Sequence, residues 1–390
     1  METAARNPSE PAKASASTAP RKSPRIAAID WMRGLVMLLM IVDHASMAYD
    51  RHHLSSDSAM YADATTMALP AGEFFTRWMT HICAPTFVFL AGTALALSIE
   101  RRVAKGAPAW EIDKSILIRG AIIVLLDMTV ISLGLGKFQL SVLYAIGVSM
   151  MAMAALRRLP TWALMAFGLG WFAAGEWVTR LTWTPPGPAT SWSALTMATS
   201  GGDSFSIKYP IMPWLAMMSL GWVFGRHMNR YSSGKSSIAP ARIMLIAGCA
   251  ALGLFFVVRG LNGYGNMALP RADNSWQQWL HVSKYPPSLS YATLELGLMC
   301  LLLSVMMKLE PVIGVRENGP LLVFGQTAMF FYLVHRFTFD APSTYLGLHG
   351  AGTIATTYAV AIGGLLLLYP ACRWYRSVKA AHPESLLKYI

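Results

Sequence analysis

The sequence contains few charged residues. Asp, Glu, Lys and Arg make up only 13% of its 390 residues, and 54% are hydrophobic. Soluble domains average about 25% charged residues, so this balance excludes an ordinary soluble enzyme and indicates an integral membrane protein. The net charge of +12 lies in short segments between apolar runs, where basic residues orient a membrane protein. No nucleic-acid partner is therefore expected.

Several functional signatures are also missing. The four cysteines (Cys83, Cys249, Cys300 and Cys372) all fall in apolar runs and are interpreted as small buried residues. They form no disulfide framework or zinc spacing, so no metal site is predicted. There is no Gly-rich phosphate loop. Residues 1–26 have the Ala-, Ser- and Pro-rich composition of a disordered cytoplasmic tail, without an apolar stretch followed by a cleavage site.

What the chain does contain is a series of apolar runs long enough to span a bilayer. They lie at about 28–48, 75–98, 116–135, 139–156, 160–178, 209–226, 241–260, 287–307, 319–338 and 351–372. These runs are too long for barrel strands. We predict an all-α integral membrane protein with about ten transmembrane helices, a membrane domain at 27–375 and a cytoplasmic tail at 376–390.

The distribution of Lys and Arg predicts the orientation. Placing the N-terminus inside puts 21 of the 32 basic residues in cytoplasmic segments and nine in outer segments. This asymmetry predicts that both termini are cytoplasmic. Seven of the nine histidines then map to the outer side. The longest loops, at 49–74, 179–208 and 261–286, are also outer.

The first span carries ionisable groups that are costly in a membrane and often functional. One helical stripe of this span contains Asp30, Arg33, Met37, Met40 and His44. Asp30 and His44 are roughly 21 Å apart along the axis at ~1.5 Å per residue. His44 is a candidate general base or acyl carrier. Adjacent Asp43 is a candidate to tune it.

Two further histidines reach the same predicted leaflet. His81 enters the membrane after Arg77, and Pro85 is expected to kink that helix. His335 lies at the outer end of the ninth span, one turn from Tyr332. We predict that His81 and His335 assist His44.

Charged residues elsewhere in the spans suggest additional roles. Asp127 and Glu295 are lone mid-span acids that each need a partner, either to orient a base or for structure alone. A basic cluster is predicted where the first three spans emerge on the cytoplasmic side: Arg33, Arg101, Arg102, Lys105 and Arg119. Such a cluster suits a phosphate-bearing donor, although the positive-inside rule also accounts for it.

Six sequence blocks, several of which contain these residues, resemble a known family. The blocks RIAAIDWMRG (25–34), FTRWMTHICAPTFVFLAG (75–92), VLYAIG (142–147), YPIMPWL (209–215), YPPSLSY (285–291) and FGQTAMFFYLVH (324–335) appear in order. Together they resemble the membrane acyltransferases related to the catalytic domain of heparan-α-glucosaminide N-acetyltransferase, which include bacterial members. The opening Arg…Asp-x-x-Arg-Gly…His is also similar to the start of the wider membrane acyltransferases that decorate surface polysaccharides.

The resemblance implies transfer of an acyl group, expected to be acetyl from cytoplasmic acetyl-CoA, to an extracytoplasmic glycan or similar acceptor. Asp30, Arg33, Arg101, Arg102 and Arg119 would then hold the donor. In the lysosomal enzyme of this family, the histidine associated with acetyl transfer lies in the lumenal stretch after the opening helix. Gapless spacing back from the Pro85 block places the corresponding position near Ala71, which is not a histidine. His52 and His53 are therefore alternatives to His44, as is His81.

The expected partners are the lipid bilayer, acyl-CoA and the glycan acceptor, with a homodimer left open. The expected location is the plasma membrane, which is the inner membrane in a bacterium. A different hypothesis is a proton-coupled transporter or flippase that uses the same polar stripe. A pH-responsive sensory or structural protein is a third, but it leaves the stripe unexplained.

Overall fold

The computed structural model describes residues 26–132, 136–202, 204–385 and 387, and this part of the chain is mostly helical. The helices are α1 Ala27–Tyr49, α2 Ala71–Trp78, α3 Cys83–Ala104, α4 Ala109–Leu126, α5 Val142–Leu156, α6 Thr161–Arg180, α7 Ser191–Thr196, α8 Ile211–Ser232, α9 Pro240–Leu261, α10 Trp276–Leu280, α11 Leu289–Ile313, α12 Pro320–Gln326, α13 Ala328–His335, α14 Asp340–Tyr345 and α15 Ile354–Ala381. A π-helical turn, Asp127–Ile131, extends α4, and a 3-10 turn, Arg336–Thr338, follows α13.

The predicted helical membrane class is confirmed. Within the described residues, each of the ten predicted apolar runs overlaps a helix or a broken helix. Five helical segments in the described part are both long and apolar enough to cross a membrane: Ala27–Tyr49, Ala71–Ala104, Pro240–Leu261, Leu289–Ile313 and Ile354–Ala381. The count of ten spans and the cytoplasmic position of the termini stay predictions.

The helix α1 lies at the centre of the fold. It is buried along most of its length and packs against α3, α11, α12 and α15. Its first backbone N–H groups, of Ala27 and Ala28, donate to the two carboxylate oxygens of Glu310 at 3.0 Å each. Those N–H groups have no partner within the helix, and the negative charge suits the helix N-terminus. The long-range cap fixes the end of α1 that carries Arg33.

Close backbone approach brings α12 against α1. A Cβ atom on Gly325 would overlap the carbonyl of Asp30, and one on Gly34 would overlap the carbonyl of Leu321. Glycines at both crossing points therefore allow the two backbones to touch. A glycine also allows close approach of α3 and α8, where a Cβ atom on Gly221 would overlap the carbonyl of Phe89.

Two predicted spans are broken helices. The predicted kink at Pro85 is wrong: the helix ends at Trp78, and Pro85 lies in the first turn of α3. A proline is well tolerated there because the first N–H groups of a helix lack partners anyway. The second break falls at Thr327, between α12 and α13. A histidine is associated with each break. His81 lies within the first, and His335 ends α13, the helix that follows the second.

The long loops pack on one another beside the C-terminal end of α1. A small apolar cluster joins all three: Ala59, Ala64, Trp183, Ala198, Met267 and Leu269. The strands β1 Phe138–Leu140 and β2 Phe205–Ile207 pair in parallel, with Phe138 opposite Phe205. The loops therefore form a folded layer over this end of the bundle.

Three sequence interpretations gain a structural outcome. Asp127 accepts a hydrogen bond from the Ser141 N–H at 2.6 Å, at the start of α5, which supports the structural role. Cys249 is exposed, so the prediction that all four cysteines are buried is wrong for it. The last helix continues to Ala381, beyond the predicted domain end at 375. The predicted tail at 1–26 lies almost wholly outside the described residues.

Candidate active site

The structure brings His44 and His335 into direct contact. Nε2 of His335 lies 3.0 Å from Nδ1 of His44. Nδ1 of His335 faces the carbonyl of Phe331 at 3.1 Å, and Nδ1 of His44 faces the carbonyl of Met40 at 3.1 Å. His335 is fully buried, whereas His44 is half-buried.

These contacts assign the proton of each neutral imidazole. A carbonyl oxygen can only accept, so Nδ1 of His335 carries its hydrogen and Nε2 of His335 is an acceptor. Nδ1 of His44 must then be the donor to His335. The remaining nitrogen of His44, Nε2, is left unprotonated, which is the form required of a base or nucleophile.

A second network lies beside this pair, on α1, α2 and the loops on either side of α2. Nη1 of Arg77 donates to both carboxylate oxygens of Asp43, at 2.8 and 3.0 Å, and Thr80 donates to one of them at 3.1 Å. Nε of Arg77 donates to Asp57 at 3.1 Å. Asp57 also lies 2.7 Å from Nε2 of His81. All five side chains are buried.

In this network, two residues predicted to act with His44 have other hydrogen-bond partners. Among the described residues, the hydrogen bonds of Asp43 go to Arg77 and Thr80 and none goes to His44. His81 contacts Asp57 and does not line the cavity at His44. Burial raises the pKa of Asp57, but Arg77 and His81 outweigh it and hold that pKa well below its ordinary range. Asp57 therefore remains a carboxylate, and sequence reasoning missed it because nothing marks it among the polar residues of its loop.

His44 lines a cavity of about 210 Å³, which we call the His44 cavity. It is lined by Asp43, His44, His53, Arg77, Tyr285 and Arg336 among others. His53 reaches this cavity while bonded to Ser46 at 2.9 Å, whereas His52 is exposed and does not line it. Of the alternative histidines, only His53 shares the cavity with His44.

A second cavity, of about 250 Å³, lies toward the other end of α1 and is called the Arg33 cavity. Its walls carry Arg33, Arg119 and Lys379 with Gln326. Arg33 also donates to Asp30 at 3.3 Å and to the carbonyl of Leu90 at 3.2 Å. The cavity thus gathers three cations from helices α1, α4 and α15.

The two cavities share part of their walls. Phe87, Val142 and Tyr332 line both. Along α1, Arg33 and His44 are roughly 16 Å apart at ~1.5 Å per residue. A narrow apolar partition therefore separates a basic cavity from a histidine with an available lone pair.

The residues predicted to bind the acyl donor divide into two groups. Arg33 and Arg119 come together in the Arg33 cavity, with Asp30 behind Arg33. Arg101 and Arg102 lie outside it and bond to the carbonyls of Leu97 and Glu111. Lys379 was missed because it lies in the stretch predicted to be a tail. Within the described residues, no group of three or more His, Cys, Asp or Glu side chains is arranged to hold a metal ion.

Comparison with known families identifies the family of the chain. The sequence profile of the family described as heparan-alpha-glucosaminide N-acetyltransferase, catalytic, matches residues 25–259. The chain belongs to this family. The resemblance predicted from the sequence is confirmed.

Membership in the heparan-alpha-glucosaminide N-acetyltransferase catalytic family points to membrane acetyltransferase activity in general. The matched range contains His44, Asp43, Arg77, His81 and Arg119. His335 and Lys379 lie beyond it, so the geometry alone joins them to the matched residues. No curated protein sequence matches the chain.

Proposed function

We propose that the protein transfers an acetyl group from acetyl-CoA, bound from the cytoplasmic side, to an amine or hydroxyl of an extracytoplasmic glycan or similar acceptor. The observation that carries this proposal is the pair of adjoining cavities along α1. One is lined by cations, and the other presents an unprotonated imidazole nitrogen. A long donor with phosphates at one end and a thioester at the other fits this arrangement.

The residues of the Arg33 cavity suit the phosphate end of the donor. Arg33, Arg119 and Lys379 can each make charge-assisted hydrogen bonds to phosphate oxygens. Arg119 has no ion-pair partner among the described residues, so its charge is available to a ligand. The apolar partition of Phe87, Val142 and Tyr332 would surround the uncharged arm of the donor.

The chemistry takes place at His44. The acceptor N–H or O–H attacks the thioester carbonyl carbon while Nε2 of His44 takes the acceptor proton. As the carbon–sulfur bond breaks, the proton passes from His44 to the departing sulfur. The products are the acetylated acceptor and CoA, with His44 restored. The Met40 carbonyl and Nε2 of His335 both accept from Nδ1 of His44, and together they hold the tautomer that makes this possible.

The test uses purified full-length protein and single histidine variants. We expect His44→Gln to lower acetyl transfer by roughly 10²- to 10⁴-fold, the usual contribution of a general base. His52→Gln is the matched control, because His52 is exposed and outside the cavity. Loss of transfer in His53→Gln with full activity in His44→Gln would move the base to His53. Labelled acetyl retained on the protein would instead indicate an acyl-histidine.

Donor binding separates the enzyme from a transporter. A ligand that binds only the native state raises the apparent unfolding temperature. We expect acetyl-CoA to do so, and Arg119→Ala to weaken its binding by roughly 10-fold or more, the usual range for a hydrogen bond to a charged group. Arg101→Ala, a neighbouring cation outside the cavity, should have no effect. Indifference of all variants to acetyl-CoA would favour a proton-coupled transporter.

A further inference from the structure

The His44 cavity is rich in cations. Five of the nine basic residues in segments predicted to be extracytoplasmic line this one cavity: Arg77, Lys137, Lys208, Lys284 and Arg336. Asp43 is the only carboxylate among the residues that line it. The positive-inside rule disfavours basic residues on this side, so their concentration in one cavity needs another explanation.

Two of the five cations have their own partners. Arg77 is bonded to Asp43 and Asp57, as described above. Arg336 pairs with Asp340 at 2.7 Å. These arginines therefore belong to the wall of the cavity, and their charge is largely compensated. The three lysines are different.

Lys284 is the most informative of the three. It is only 5% exposed, and it forms no ion pair with any residue of the described ranges. Its electrostatic interactions with Asp43 and Glu295 act beyond ion-pair distance. A buried cation without an ion-pair partner is costly, because burial removes the water that would otherwise stabilise it. An anion that enters the cavity would offset this cost.

Lys208 adds a second positive charge nearby. Its ammonium donates to the Tyr61 hydroxyl at 3.0 Å and lies 5.5 Å from the centre of the Tyr285 ring. The Lys284 ammonium lies 5.4 Å from the same ring. Burial raises the pKa of Tyr285, but Lys284, Arg77 and Lys208 outweigh it and bring that pKa below its ordinary value. The field in this part of the cavity is therefore positive.

We propose that Lys284, together with Lys208 and Lys137, binds an anionic group of the acceptor, so that the acceptor is an acidic sugar or a similar molecule that bears a phosphate, carboxylate or sulfate. This inference rests on the proposed function, because it assigns the second substrate of the same site. Lys284 is a specificity-determining residue: it holds the acceptor while His44 acts on the amine or hydroxyl.

The test measures binding without turnover. Glucose 6-phosphate and glucose differ only in the anionic group, and each is titrated against the full chain in neutral detergent, with unfolding temperature as the readout. We expect glucose 6-phosphate to stabilise the protein and glucose to have no effect. Lys284→Gln should weaken glucose 6-phosphate binding on the order of tenfold or more, the usual range for a hydrogen bond to a charged group. Lys284→Arg should largely retain it.

Controls separate this proposal from the proposed function. Stabilisation by acetyl-CoA should survive in Lys284→Gln, which also shows that the variant folds. If Lys284→Gln does not fold, Lys208→Gln gives a second test. Lys235→Gln is the neutral control, because Lys235 is exposed. Equal responses to both sugars, with acetyl-CoA binding intact, would overturn the acidic acceptor and leave the enzyme standing. Loss of acetyl-CoA binding in folded Lys284→Gln would assign the lysines to donor binding and would also overturn the proposal of an acidic acceptor.

An anionic lipid headgroup is a second source of the negatively charged group that the lysines would bind. The protein is therefore also placed in bilayer discs of phosphatidylcholine, with and without phosphatidylglycerol. Stabilisation by glucose 6-phosphate in discs that lack anionic lipid supports the acidic sugar. Stabilisation that requires phosphatidylglycerol and is absent with glucose 6-phosphate would assign the lysines to lipid and contradict the proposal.

Discussion

At the scale of single residues, the proposed role of His44 as a base depends on the two acceptors at its Nδ1, the Met40 carbonyl and Nε2 of His335. Both accept from Nδ1 of His44, so its Nε2 carries no proton in the neutral ring. Replacing His335 with Leu leaves the Met40 carbonyl as the remaining acceptor and should lower kcat by up to about 10-fold, the range expected for the loss of one hydrogen bond. The KM for acetyl-CoA should not change, because His335 does not line the Arg33 cavity.

The conservative variant His335→Gln tests the same point in the opposite direction. The amide oxygen of Gln can accept from His44, so activity should recover to within a few-fold of the wild type. Equal losses in both variants would argue for simple packing damage. A shift in the pH dependence of kcat that appears only in His335→Leu would identify a positioning role.

The residues of the site were only partly predictable. His44 and His335 stand out in the sequence because histidine is costly within an apolar run. Their direct contact was not predictable, because nearly 300 positions separate them. His81 looked equivalent to both, yet it turns to Asp57, an acid in a loop without any distinguishing pattern. Hydrophobicity indicates which polar residues need partners, but not which partners they find.

At the scale of helices, the crossing of α1 and α12 should be sensitive to one methyl group. Gly325→Ala would place a Cβ atom against the carbonyl of Asp30, a backbone atom that cannot move aside. Overpacking of this kind costs about 1–3 kcal/mol. Because Gly325 lines the Arg33 cavity, we expect both a lower unfolding temperature and weaker acetyl-CoA binding. Gly363→Ala, with no atom within 4 Å of the added Cβ, is the control and should be tolerated.

The helices themselves were well predicted, but their interruptions were not. Apolar runs reveal where a chain can cross a bilayer because length and composition decide that. The breaks at Met79–Ile82 and Thr327 depend on how α3 and α13 pack. Pro85 suggested an interruption but misplaced it by several residues. The continuation of α15 to Ala381 was also missed, and with it the position of Lys379 beside Arg33.

At the scale of the whole molecule, the two cavities predict that donor and acceptor arrive from opposite sides. The cations of the Arg33 cavity lie near the end of α1 that the distribution of Lys and Arg assigns to the cytoplasm. The loops over the His44 cavity carry the opposite assignment. Acetyl-CoA carries several charges and does not cross bilayers, so the side of addition can be controlled.

Sealed vesicles containing the full chain provide the measurement. Radiolabelled acetyl-CoA is added outside, glucosamine 6-phosphate is trapped inside, and protease access to a terminal tag identifies molecules whose termini face outward. We expect labelled product inside the vesicles in proportion to that fraction. Molecules with the opposite orientation should contribute no product, because their donor side faces the vesicle interior. Product that accumulates only when both substrates share one side would contradict transfer across the bundle and place both binding sites on a single face.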